Sequence, residues 1–154
     1  MKNQRHCLLK GALGSLWLFL LFAVGPALAV VDDAHSQAME AALPYVKEGF
    51  VVRNDFWAGD LKRKQSKSIP HQLYKGNAYW FWMGVDGPDT KVSVHIYDSS
   101  GNLAEKTAWS RPILQGGVAA AYIEPLKSGT YYLVVTMEES PQELTHWALA
   151  YGFR

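Results

Sequence analysis

The chain has 154 residues, with 15 Lys and Arg against 14 Asp and Glu, a formal net charge of +1 and a single cysteine. So even a balance gives no electrostatic footing for nucleic acid, and one cysteine excludes an internal disulfide. Aromatic residues make up 13% of the chain, and this excess is its main functional signal.

At the amino end, Lys2, Arg5 and Lys10 precede an apolar run from Gly11 to Val24, and Pro26 leads into Ala27-Leu28-Ala29. This succession of positive, apolar and small-x-small segments predicts a secretory signal peptide over residues 1–29, cleaved after Ala29. Cys7 lies ahead of the apolar run, away from the cleavage point, so no lipid-anchored cysteine is expected. The run is shorter than the roughly 20 apolar residues of a membrane span. The expectation is a periplasmic or extracellular protein, without stable membrane insertion once the leader is removed. Residues 30–154 then form one domain of ordinary size.

Asp32 and Asp33 are capping residues, and Met39, Ala42, Leu43 and Val46 recur at helical spacing, which predicts a short amphipathic helix over about 33–47. Pro44 should bend or stop it near Leu43, and Gly49 closes the segment. Such a helix either binds a partner or lies across the end or open face of a sheet. Phe50 to Trp57 reads as the first strand, with Ala58-Gly59-Asp60 as its turn. Leu61 to Ser68 holds the basic cluster Lys62, Arg63, Lys64 and Lys67, readable as a solvated hairpin tip or as a hold for a polyanion. Ser68 to Leu73 is a short strand that Pro70 confines to a sheet edge.

Ala78 to Val85 is apolar at nearly every position, with Trp80 and Trp82 opposite Tyr79, Phe81 and Met83, as a strand covered on both sides requires. In the next strand Val92, Val94 and Ile96 alternate with Ser93, His95 and Tyr97, so that one face is buried. Leu103 to Ser110 is a modest strand ended by Arg111-Pro112. Val118 to Glu124 follows, its Ala119, Ala120 and Ala121 suited to a crowded place between sheets. Thr130 to Met137 is the strongest β run, and the last strand sets Trp147, Leu149, Tyr151 and Phe153 against His146, Ala148, Ala150 and Gly152. The pattern is that of an all-β, jelly-roll-like, two-sheet antiparallel sandwich of about eight strands with one short amino-terminal helix.

Three stretches carry a family resemblance: Leu73 to Phe81 (LYKGNAYWF), Val92 to Asn102 (VSVHIYDSSGN) and Pro125 to Val135 (PLKSGTYYLVV). Together they resemble the bacterial pre-peptidase C-terminal domain. The resemblance implies a jelly-roll-like sandwich and a secreted, non-catalytic module that in relatives accompanies exported enzymes and sometimes binds calcium or a polymeric substrate. Thr90 and Lys91 stand where relatives often carry acids, so no calcium site is expected. Asp86, Asp89 and Asp98 read as turn residues.

His71, His95 and His146 have no metal-ligand spacing, and neither a nucleophile elbow nor a carboxylate pair is present. The reading is therefore non-enzymatic, without metal or cofactor. Tyr79, Trp80, Phe81, Trp82, Tyr97 and Trp109 are the aromatic candidates; those left exposed would stack on sugar rings or an apolar peptide. Tyr79, Trp80, Trp82, Tyr97 and Trp109 are taken as the ligand-binding set. Alternation sends neighbouring rings to opposite faces, so part of the group must pack the interior. The expected role is a binding or accessory module for carbohydrate or cell-envelope polymer, with a glycan or an envelope protein as partner. The alternative is a structural or protein-interaction domain with no small ligand.

Overall fold

The computed structural model describes residues 32–154, so the expected leader and its cleavage point lie outside the described residues. Helix α1 (Asp33–Val46) is followed by β1 (Val51–Val52), β2 (Trp57–Leu61), β3 (Ser66–Leu73), β4 (Tyr79–Asp86) and β5 (Lys91–Tyr97). Then come β6 (Thr107–Ile113), β7 (Gly116–Ile123), β8 (Gly129–Glu139) and β9 (Thr145–Phe153). The six-stranded sheet runs β1-β9-β4-β7-β6, with β2 also paired to β9; the three-stranded sheet runs β3-β8-β5. All pairings are antiparallel. The fold is an all-β sandwich with one short helix, and the chain changes sheet at nearly every connection. The described residues make up one compact unit.

Two cores share the six-stranded sheet. Between the sheets, Tyr79, Phe81, Met83 and Val85 of β4 meet Val92, Val94 and Ile96 of β5 and Leu133, Val135 and Met137 of β8. On the far side, Trp80 and Trp82 pack with Ala38, Ala41 and Ala42 of α1, Val118 and Ala120 of β7, and Ala150 of β9. β4 is thus covered on both faces, as its unbroken apolar run requires. The three alanines divide as the pleat dictates, Ala119 and Ala121 between the sheets and Ala120 beneath the helix.

Asp32 caps α1, its carboxylate accepting the backbone N–H of His35 at 2.9 Å. The buried stripe is Ala34, Gln37, Ala38, Ala41 and Ala42, whereas Leu43 and Val46 of the expected stripe are 61% and 49% exposed. The cause is the closeness of helix to sheet. A Cβ on Gly84 would stand 2.1 Å from the Ala34 carbonyl oxygen and 2.7 Å from the Ala38 nitrogen, so only small side chains fit the contact. Nor does Pro44 end the helix, which continues to Val46. Tyr45 packs on Trp80 and Trp82, with ring centroids 4.5 and 5.5 Å apart, and accepts the Trp109 indole N–H at 3.1 Å, which holds the last turn in place.

Three strand boundaries differ from expectation. The first strand is broken: β1 covers only Val51–Val52, and β2 occupies the expected turn Ala58-Gly59-Asp60. Between them the Arg53 N–H donates to the Tyr151 carbonyl and Phe56 stacks on His35, so the chain leaves the β9 edge and then rejoins it. Gly59 faces Trp147, whose indole would lie at an ordinary contact distance of 3.5 Å from an added Cβ, so it is a strand residue and not a turn. β6 passes through Arg111 and Pro112 because it is an edge strand, where a missing N–H is tolerated. The basic segment Lys62–Gln65 links β2 of one sheet to β3 of the other, so it is a crossover between sheets and not a hairpin tip. Pro70 does lie on an edge, in β3.

Candidate functional site

The aromatic candidates scatter over three environments. Tyr79 is 4% exposed between the sheets, its hydroxyl accepting the Tyr74 backbone N–H at 3.1 Å and the Asn77 amide at 3.0 Å. Phe81 is wholly buried beside it, and Trp80 and Trp82 lie beneath α1. Trp109 is half-buried on β6, bonded to Tyr45, with the Arg111 guanidinium 4.9 Å above its ring. Of the set, Tyr97 alone faces outward from the three-stranded sheet. Tyr79, Trp80, Trp82, Tyr97 and Trp109 therefore share no common surface, because β4 is an inner strand with a second sheet on one side and a helix on the other.

Among the described residues no helix lies on the outer face of the three-stranded sheet. Strand register builds it in rows. Tyr132 of β8 lies opposite Pro70 of β3 on one side and Tyr97 of β5 on the other. The next row on the same face is Ser68, Val134 and His95, and the one beyond is Ser66, Thr136 and Ser93. Each of these positions is half-buried or exposed, while the alternate residues Ile69, Leu133 and Ile96 point into the core. Tyr132 is absent from the sequence-derived set. It stands in the Thr130 to Met137 run between Tyr131 and Leu133, and only the phase of that run against Ile96 turns it outward.

Hydrogen bonds order the hydroxyls of this face. Ser66 and Thr136 share one at 2.8 Å, and the Ser93 hydroxyl donates to the Glu138 carboxylate at 2.8 Å. Glu105, with 6% of its side chain exposed, accepts the Ile96 backbone N–H at 2.6 Å and faces His95 Nδ1 at 2.8 Å. An ionised carboxylate only accepts, so Nδ1 is the donor in this contact. The face thus offers a flat apolar row, Pro70, Tyr132 and Tyr97, flanked by hydroxyls and an imidazole. That arrangement suits stacking and hydrogen bonding to a polyhydroxylated ligand.

The other polar candidates lie apart. His71 lies half-buried against the inter-sheet core, its ring centroid 5.0 Å from those of Trp57 and Tyr151, and burial pulls its pKa below the ordinary value against the pull of Asp55. His146 lies on the helix side of the six-stranded sheet, with Nδ1 3.1 Å from Asp60 and Nε2 3.5 Å from Asp32. Asp98 accepts backbone N–H groups of Ser100 and Asn102 at 2.8 and 2.9 Å, and the Asn102 bond leads in holding its carboxyl below the usual range. Asp86 ends β4, and Asp89 has a positive φ of 55° in the turn that follows. Among the described residues no group of three or more His, Cys, Asp or Glu is placed to hold a metal ion. No family model matches the chain, and a search of curated proteins finds no match.

Proposed function

We propose that the chain is an exported, non-enzymatic binding module that takes a carbohydrate or cell-envelope polymer on the outer face of its three-stranded sheet. The observation that carries this is the cross-strand row Pro70, Tyr132 and Tyr97 on a sheet face left open to solvent and bordered by serine and threonine hydroxyls. Flat rings with hydroxyls alongside meet both needs of a sugar polymer, an apolar ring face and a rim of hydrogen-bonding groups. The leader at the amino end and the resemblance of Leu73 to Val135 to the pre-peptidase C-terminal domain agree with this reading. The test is a glycan array together with co-sedimentation on insoluble wall polymers. Retention that Tyr97→Ala and Tyr132→Ala together abolish is the expected result; the absence of any retaining polymer, or retention unchanged in the double variant, overturns it.

A second reading, a protein-interaction domain without small ligand, draws on the groove between α1 and β6. Gln37, Ala41, Arg111, Ile113 and Leu114 line a hollow of about 290 Å³ there, and Leu114 is 92% exposed. Capture of an envelope protein that Leu114→Asp releases and the tyrosine variants do not would favour this reading.

A further inference from the structure

One end of the sandwich is built from three loops: residues 74–78 between β3 and β4, residues 98–106 between β5 and β6, and residues 124–128 between β7 and β8. Two of the contacts run from loop to loop: the Lys75 backbone N–H donates to the Ser128 hydroxyl at 2.9 Å, and the Lys106 ammonium donates to the Glu124 carboxylate. The 98–106 loop is also tied to the strands, by the Lys106 N–H to the Tyr122 carbonyl at 2.8 Å and by a bridge from Leu103 to Tyr97. Each loop presents one large apolar side chain to solvent: Tyr74 is 56% exposed, Leu103 59% and Leu126 82%. Leu103 and Leu126 stand at the rim of one hollow of about 530 Å³, and Leu126 divides it from a second, of about 470 Å³, lined by Lys75, Lys106 and Arg154.

Charge at this end is arranged with equal order. The carboxylates are engaged within the fold: Asp98 by the Ser100 and Asn102 N–H groups, Glu105 by Ile96 and His95, Glu124 by Lys106 and Tyr122. Lys75 and Lys127, each next in sequence to an exposed apolar tip, have no carboxylate partner among the described residues. Exposed apolar tips with adjacent unpaired ammonium groups, beside acids already hydrogen-bonded within the fold, match the boundary of an anionic bilayer, where phosphates lie just above the acyl chains. A soluble polyanion would use the lysines and leave the leucines in water. A rigid protein partner needs a continuous apolar floor, whereas here the tips stand on three loops around a hollow. A bilayer accepts each tip separately.

We propose that this end of the sandwich docks peripherally on a membrane surface rich in anionic lipid, with Tyr74, Leu103 and Leu126 entering the headgroup boundary and Lys75 and Lys127 holding lipid phosphates. No helix among the described residues is long and apolar enough to cross a membrane, so the contact is one of surface and tips. The docking goes beyond the polymer-binding reading and uses a different surface.

The test is co-sedimentation of residues 30–154 with vesicles of phosphatidylglycerol and phosphatidylcholine, with pure phosphatidylcholine vesicles and with soluble polyphosphate as the other arms. Binding should be at least about tenfold tighter on the anionic vesicles than on the neutral ones and should fall as salt rises. Leu103→Asp with Leu126→Asp, and separately Lys75→Glu with Lys127→Glu, should each weaken it by at least about tenfold. Both pairs lie at exposed positions, so thermal melts of the variants should overlay that of the parent. Failure to bind anionic vesicles, binding indifferent to the leucine pair, or equal affinity for polyphosphate each overturns the proposal. The wall-polymer assay, read at Tyr132, stands or falls on its own.

Discussion

Gly84 is the residue on which the seating of the helix turns. An added methyl would meet the backbone of Ala34 and Ala38, and backbone cannot swing aside as a flexible side chain can. Overpacking of this kind costs about 1 to 3 kcal/mol or more. We expect Gly84→Ala to lower the melting temperature by several degrees and to red-shift the emission of Trp80 and Trp82 as the helix lifts; an unchanged melt would contradict the close contact. In β5, Ile96 is fully buried while His95 faces outward. Ile96→Ala should cost about 2 to 4 kcal/mol. His95→Ala should cost about 1 kcal/mol, because it strips one partner from the nearly buried Glu105 carboxylate but leaves the Ile96 N–H in place. Chemical denaturation checks the order, and the reverse ranking would invert the facing of the strand.

At the scale of elements, α1 is pinned at its start by His146 of β9, which stands between the helix-capping carboxylate of Asp32 and Asp60 of β2. Asp33 and Glu40 of α1, Glu48 just after it and Asp86 at the end of β4 are further acids on this side of the sheet. Burial pulls the His146 pKa down, but its hydrogen bonds to Asp60 and Asp32 outweigh that and hold it above the ordinary 6.5. A histidine raised in the folded state contributes stability in full below its unfolded pKa and loses it as pH rises through the folded value. His71 acts in the opposite sense, since burial depresses its pKa below 6.5 and makes protonation costly to the fold. The two are separated by difference. The stability lost on His146→Gln should be largest below pH 6.5 and shrink as pH climbs above it, while the His71 effect cancels between parent and variant. A difference independent of pH would mean that His146 is not charged in the clip.

For the whole molecule, the inner strands β4, β7 and β9 of the six-stranded sheet are buried on both faces and the three-stranded sheet on one. The second core depends wholly on α1, for Trp82 is fully buried and Trp80 only 8% exposed beneath it. A chain beginning at Phe50 would open that apolar face to water. We expect such a truncation to bind a hydrophobic dye and to associate in size-exclusion chromatography, while the protein with α1 remains monodisperse. A soluble, dye-free truncation would show that the inter-sheet core suffices alone. The same asymmetry concentrates the open surface on the strands β3, β8 and β5 and on the loops at the ends.

Local features of the sequence determined the elements that depend on near neighbours. The period-two pattern of Val92, Val94 and Ile96, the unbroken apolar run of β4, the edge placement of Pro70 and the two-sheet class were all legible, because pleat and turn chemistry act within a few residues. Only the tertiary structure decided which stripe of α1 is buried, since that depends on Gly84 lying beneath it. It likewise decided that Gly59 belongs in a strand against Trp147, and that Pro112 is tolerated at an edge. The same holds for the aromatics: whether a ring lies in a core or on a surface depends on what covers its sheet, and the row of Pro70, Tyr132 and Tyr97 exists only through the register of three strands distant in the chain. His146 meets acids 86 and 114 residues away, a distance no spacing rule spans. Secondary structure is written in the near neighbours of each residue; sites here are made by long-range pairing.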